Sequence, residues 1–386
     1  IINNIKPPDE KLEYSFSKLI AQETTIVLNN INASKLKYDD EIEGSIFYGF
    51  SWYNKNIKIK DTDTGVEIWN GRIRNVKKTD SSGRVEVTSV NYIKDIIDTE
   101  CVLVTGSVSD VTPATIIYDI LTDVVGIPIS AINKTSFDTA SVVQASNNGY
   151  MIVRYTQGQN VKCSDVIGEI LRITSSNLYL INNIIYYSQQ SVYTGSQNIQ
   201  IDESMIFPVS FSSEFIVDYI FNNYYIAYKS GSSVAYQAPT ATPLYVEQSR
   251  LTFGTKTLNV PDKEGGVDTS SADNFKILLK YQDGAIYYGD LAISLNHYPK
   301  KKAKINIKKN LGNKIYLNSL LDLNYKHLIN EPVRVIERKI DNSKMSITVE
   351  FLNMPYTNIE RDKTKPSKVK LLSVQQGVDN IEITWK

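Results

Sequence analysis

The chain is 386 residues long, 42% hydrophobic and 22% charged, and its 42 basic and 42 acidic side chains cancel. Such a length predicts two to four domains, each able to bury a core, and the zero net charge argues against a strongly basic nucleic-acid binder or an acidic tail protein. Two cysteines, Cys101 and Cys163, argue against a disulfide scaffold or a thiolate cluster; two histidines, His297 and His327, leave few zinc ligands or bases; and no run approaches the ~18 apolar residues of a membrane span.

Residues 1–98 read as short strands between polar turns. Apolar or aromatic runs stand at 25–28 and 45–50, and 56–60 alternates, with Ile57 and Ile59 set against lysines. A turn from Asp61 to Gly65 leads to a strand over 66–76, and period two returns at 84–88. Strands at this spacing predict an antiparallel barrel or sandwich.

The pattern changes near residue 100. Thr112 is placed to cap a helix with Pro113 at its first position, where a missing N–H costs nothing. Ile116, Ile117, Ile120, Leu121, Val124 and Val125 share one face, and Gly126 supplies the stop. A second helix after Ser164 carries Val166, Ile167, Ile170 and Leu171 as its buried stripe. It runs into a hairpin over 177–187 that turns at Asn182 and Asn183, residues that tolerate the positive φ of a type I′ turn. Residues 99–205 are therefore expected to form an α/β insertion domain.

Beyond it a strand is predicted at 224–228, followed by a Pro- and Gly-punctuated connection over 238–268. Ser270 and Asp273 suggest a capping box for a helix bearing Phe275, Leu278 and Leu279. From Ile286 period two is read again, through 303–308, 333–340 and the alternation Met345, Ile347, Val349, Phe351. A second barrel is thus expected from 206–236 together with 286–355, with 237–285 a loop and helix belonging to the insertion. Residues 356–368 read as a linker, and 369–386 as the first strands of a further module. Two strands are not stable alone, so the chain is expected to continue past Lys386, with Trp385 facing the core of that module.

The sequence holds no phosphate-binding loop, nucleophile elbow or H-E-x-x-H pair. His297 and His327 have no ligand-like spacing and are expected to be ordinary core or surface histidines. Cys163 stands at a helix start, where the dipole lowers a thiol pKa, but without a nearby histidine it is expected to be a buried structural thiol. Asp61, Asp63 and Gly65 resemble the start of a calcium loop. The twelfth position is Arg72 rather than an acid, which favours a hairpin turn. Lys300, Lys301, Lys302, Lys304, Lys308 and Lys309 form either a phosphate-contacting strip or, as expected here, a solvated sheet edge. Pairs such as Glu41 with Glu43 or Asp95 with Asp98 could serve a glycosidase, though some such pair is always found among 42 acids. No residue is assigned a catalytic, cofactor-binding or metal-binding role, no cofactor is expected, and no enzymatic chemistry is expected within these residues.

The order of elements resembles the tail hub proteins of bacteriophages, the family of the myophage baseplate hub and the siphophage tail-tip hub. The strand pair around Glu67, Trp69, Gly71 and Ile73, followed by Val85 to Val90 and then Asn91 to Ile96, carries part of the likeness. The segments 112–128 and 163–171 and the hairpin 178–187 are similar to the helices and hairpin that follow. The stretch 221–228 is similar to the strand opening the second barrel, and Tyr288, Gly289 and Asp290 resemble a turn after the last helix. The segments 366–371 and 381–385 look like the first strands of a fibronectin type III module.

The resemblance implies a mainly β chain with an α/β insertion: two antiparallel tube-like β-barrels, an α+β domain, then a partial fibronectin type III sandwich. It further implies a structural homotrimer at the distal end of a virion tail, adapting a six-fold tube to a three-fold tip. Its partners would be the tail tube protein, the distal tail or baseplate ring proteins and the tape measure protein, with phage DNA passing the lumen. The alternatives are a tail-associated cell-wall hydrolase, whose activity would lie outside these residues, and a glycan- or receptor-binding protein using Trp52 and Tyr53 as sugar platforms.

Overall fold

The computed structural model describes residues 2–5, 10–11, 19–29, 49, 51–79, 84–102, 111–154, 160–190, 199–208, 210–216, 219–260, 276–326, 328–341, 343–352, 372–376 and 381–385. Two compact units result, residues 1–353 and 354–386. The fold is mainly β, and the larger unit contains three principal sheets.

The chain opens with β1 (Ile2–Ile5), β2 (Glu10–Lys11), β3 (Glu23–Asn29), β4 (Asn56–Lys60), β5 (Glu67–Thr79) and β6 (Arg84–Val90). All but β2 form an antiparallel sheet in the order β1-β3-β6-β5-β4. Alternation buries Val85 and Val87 of β6 with Ile73 and Trp52, while Ile26, Ile59 and Trp69 bury a second cluster. The Trp69 indole N–H finds a buried acceptor in Ser89 Oγ at 2.9 Å.

The insertion follows as α1 (Ile93–Asp98), α2 (Pro113–Asp119), α3 (Lys134–Ser146), β7 (Met151–Val153), α4 (Cys163–Thr174), β8 (Ser176–Ile181) and β9 (Ile184–Gln189). Pro113 starts α2 as expected, but the Thr112 hydroxyl makes no cap bond and meets Ser141 Oγ at 2.7 Å instead. A π-helical turn over Ile120–Val124 extends the helix to Gly126, which stops it at φ 74°. Val166, Ile167, Ile170 and Leu171 of α4 are buried, and the β8–β9 turn has Asn182 and Asn183 at φ 52° and 62°.

Next come β10 (Gln200–Ile201), β11 (Ser212–Ile216), β12 (Asn223–Ser230), β13 (Ser233–Gln237), α5 (Leu244–Phe253), β14 (Thr257–Val260), β15 (Ile277–Leu279) and α6 (Gln282–Asn296). The chain then runs through β16 (Lys300–Lys308), β17 (Leu320–Tyr325), β18 (Leu328–Ile340) and β19 (Lys344–Phe351). The second sheet has the order β10-β17-β18-β19-β16-β11. Its long β18 pairs with β17 over its first half and with β2 beyond it.

Several expectations are corrected here. The strand at 224–228 does not open the second sheet. It lies in β12, whose sheet has the order β13-β12-β15-β7, with β14 also on β12. Burial explains the choice. Tyr224, Ile226 and Ala227 are all buried, and α6 packs on β12 so closely that a Cβ at Gly289 would sit 2.3 Å from the Tyr224 ring. Residues 282–296 form one helix, so Ile286 begins no strand and Tyr288, Gly289 and Asp290 are mid-helix rather than a turn. Leu278 and Leu279 lie in β15 rather than in the helix expected to carry them, and Ser270, Asp273 and Phe275 lie outside the described residues. Among the described residues of 206–236, β11 alone joins the second sheet as a strand, pairing with β16. The first and second sheets follow open strand paths among the described residues.

In the smaller unit β20 (Leu372–Gln376) and β21 (Ile381–Trp385) form an antiparallel hairpin, Leu372 opposite Trp385. The proposed linker at 356–368, the run at 45–48 and the side chain of Trp385 lie outside the described residues.

Candidate functional site

The residues singled out from the sequence are spread over the larger unit and mostly do structural work. His297 caps the C-terminus of α6. Its Nδ1 lies 2.9 Å from the Ile293 carbonyl, and its ring packs 4.5 Å from Tyr245 and 4.8 Å from Tyr298. Burial lowers its pKa, so it is a neutral wedge between α5 and α6. His327, Glu41 and Glu43 lie outside the described residues.

Cys101 and Cys163 are brought together. An antiparallel bridge between Glu100 and Lys162 places Cys101 N 2.7 Å from the Val161 carbonyl and Cys163 N 2.9 Å from that of Thr99. Both thiols are free and buried, and hydrogen bonding to Cys163 together with burial pushes the Cys101 thiol up.

The segment Asp61 to Gly65 is a hairpin turn. Asp61 Oδ1 accepts from Thr64 N at 2.9 Å and Thr64 Oγ1 at 2.7 Å, and its other oxygen pairs with Lys309. Lys309 opens a 3₁₀ segment, Lys309–Asn313, against which the turn docks. Asn313 Oδ1 accepts from Glu67 N at 3.3 Å, and a Cβ at Gly312 would sit 2.6 Å from Val66 Cγ1. The first sheet is thereby locked to the second. Arg72 is likewise committed, pairing with Asp95 and stacking 4.2 Å over the Tyr92 ring. Asp95 also pairs with Arg74, and Asp98 with Lys94 at 2.5 Å, so these acids form no facing pair. Trp52 is buried in the first sheet's core and offers no sugar platform; Tyr53 is 60% exposed.

The lysine stretch is not a sheet edge. The strand β16 lies between β19 and β11, so its Lys302 to Lys304 backbone is paired on both sides, while Lys300 and Lys301 pair with β11. Lys302 reaches Glu214 at 2.7 Å, Lys301 lies 4.6 Å over the Phe351 ring, and Lys300 turns to Glu350 at 3.2 Å. Lys304 and Lys308 are exposed.

Sequence reasoning missed a buried charged cluster. Glu350, 1% exposed, sits directly across the strand pair from Arg334 and pairs with it as well as with Lys300. Burial alone would raise its carboxyl, but the two cations overcome that and hold it at about 2. The amide of Gln190 is satisfied with its oxygen facing Arg334 Nη2 at 2.8 Å and Asn177 Nδ2 at 2.9 Å. Beside this cluster lies a cavity of about 170 Å³ between the end of β9, α6 and the second sheet. The only sequence sign of it is an acid at the end of the alternating run 345–351, where strand pairing could not be foreseen.

Among the described residues no three His, Cys, Asp or Glu side chains converge as metal ligands, and no helix is long and apolar enough to cross a membrane. No known family profile and no curated protein matches the chain. Among solved structures the chain is similar to the prophage tail protein gp18 from Listeria monocytogenes, at 10% identity and a TM-score of 0.46, over 90% of this chain and 89% of that one. It is similar to the 43 kDa tail protein of prophage MuSo2 from Shewanella oneidensis, at 10% identity and 0.46, over 89% and 91%. It is also similar to a tail protein from Neisseria meningitidis, at 11% identity and 0.46, over 89% and 90%. Likeness of this strength leaves the chain's own fold as the ground for a functional reading.

Proposed function

We propose that the chain is a structural hub subunit of a phage-type tail, three copies of which close the distal end of the tube. The observation that carries this reading is the pair of β-sheets on either side of an α/β insertion, held as one body by the Asp61–Lys309 turn lock. The resemblance implies β structure on each side of such an insertion, and a wall-forming ring subunit needs two such sheets fixed relative to each other. Three chains then offer six sheet surfaces to a six-fold tube. The contact between copies is heterologous, joining unlike edges such as β4 and β11, which end their sheets among the described residues.

In this reading the partners are the tube protein, the ring proteins around the tip and the tape measure protein, and DNA passes through the lumen. The chain does no catalysis of its own, and its final hairpin is of fibronectin type III-like character. Native mass spectrometry of the recombinant chain should show a trimer, with a three-fold ring by electron microscopy. A stable monomer across micromolar concentrations would overturn the hub, and turnover of purified peptidoglycan by the chain would overturn the non-enzymatic reading.

A further inference from the structure

The cavity beside the buried cluster has an unusual electrostatic balance. Its wall includes Lys300 and Arg334 and no carboxylate. Among the described residues the one acid that pairs with both cations is Glu350, so there two positive charges share one negative charge and an excess of one remains. An uncompensated charge in a partly enclosed site is costly, because water screens it less well than at an open surface. Arg334 is 7% exposed, and its Nε–H is buried without a partner.

A second lining residue has the opposite need. Gln189 donates through Nε2 to the Tyr287 hydroxyl at 3.0 Å, but its carbonyl Oε1 is buried without a donor. A solute suited to this cavity must therefore be negative, must accept from Arg334 or Lys300, and must donate to Gln189. A buried polar group left unmatched is what rejects the wrong solute. Sulfate and chloride have no proton to give at neutral pH; hydrogen phosphate has one. About 170 Å³ accommodates such a small solute with water beside it, and Leu320, 38% exposed, stands at the rim as the way in.

We infer that this cavity is a binding site for one small protonated oxyanion of the hydrogen phosphate class, joining the α/β insertion to the second sheet. The site is independent of the hub reading and stands or falls on its own.

Isothermal titration calorimetry of the full chain with sodium phosphate at pH 7 is the test, with sodium sulfate and sodium chloride at matched ionic strength. Phosphate should saturate at one per chain, with sulfate at least about tenfold weaker for want of one hydrogen bond. Phosphate should also raise the thermal midpoint in proportion to the logarithm of its concentration. Two variants remove the charge excess in different ways. Lys300→Gln leaves Arg334 and Glu350 matched, and Gln189→Glu places a carboxylate on the cavity wall; each should weaken phosphate at least about tenfold. Near-UV circular dichroism confirms that each variant is folded. If either fails to fold, the other and the comparison of anions on the unaltered chain still decide. Equal responses to phosphate, sulfate and chloride, or no saturable phosphate heat, would show a cavity holding water only and overturn the site. Full phosphate affinity in a folded Lys300→Gln or Gln189→Glu chain would overturn it equally.

Discussion

Replacing Glu350 with Gln keeps the side-chain shape and removes the charge that holds Arg334 and Lys300 inside the second sheet. The magnitude follows from linkage. The carboxyl lies at about 2 in the folded chain against an ordinary 4.5, and each pKa unit is worth about 1.4 kcal/mol, so the ionised form contributes about 3 kcal/mol at neutral pH. That agrees with the roughly 3–5 kcal/mol lost when one partner of a buried pair is removed. The sign is that of a depressed acid: the contribution is complete above the unfolded pKa and is lost as pH falls from about 4.5 towards 2. Urea unfolding at pH 7 should therefore show the Glu350→Gln chain about 3 kcal/mol less stable, with an unchanged slope. At pH 3 the gap should shrink to about half or less. A variant within about 0.5 kcal/mol of the original chain at both pH values would refute the claim that the cluster is held together by charge.

Gly289→Ala should cost about 2 kcal/mol in thermal unfolding despite alanine's better helix propensity, because its Cβ meets a Tyr224 ring pinned through its hydroxyl to Asp290 at 3.0 Å. Asp61→Ala should cost about 1 kcal/mol, modest because both residues are only partly buried and water still screens the pair. Hydrogen bonds from Lys309 and then Thr64 hold the Asp61 carboxyl at about 2, so its contribution is present above pH 4 and the gap to the variant should close between pH 4 and pH 2 in urea titrations. Iodoacetamide should leave Cys101 and Cys163 unmodified in the native chain and label both in denaturant, as read by intact mass.

Local signals were legible. The Asn182–Asn183 turn, the stripe on α4 and the alternation in β19 each depend on neighbours a few residues away, and each stands where the sequence places it. Errors arose where tertiary context overrides a short pattern. The three residues of β15 are all buried, and a short apolar run of that kind fits a helix or a strand equally. In α6 the β-formers Ile286, Tyr287 and Tyr288 disguised a helix whose burial against β12 decides the matter. The helix α5 was hidden by its own punctuation: Pro243 and Gly254, read as loop markers, are the residues that begin and end it, the glycine at φ 72°. The α3 helix has a weak apolar face, with Phe137, Ala140 and Gln144 its buried residues, and no stripe announced it.

The charged cluster and its cavity were beyond reach for a different reason. Lys300, Arg334 and Glu350 come from three strands, and only the order β18-β19-β16 brings them together. The same order removed the lysine stretch from the sheet edge, since which strand lies beside β16 is a property of the whole sheet and not of its residues.

The lock between Asp61 and Lys309 joins residues 248 positions apart. During synthesis at about 5–20 residues per second, the first sheet leaves the ribosome roughly 12–50 s before its docking partner exists. Throughout that interval Val66, fully buried once Gly312 has packed on it, faces solvent at the tip of a hairpin. The turn bonds from Thr64 to Asp61 are local and form at once, so the hairpin waits with its shape set and its docking face uncovered. Assembly of this chain is therefore sequential, with its earliest part the last to be secured.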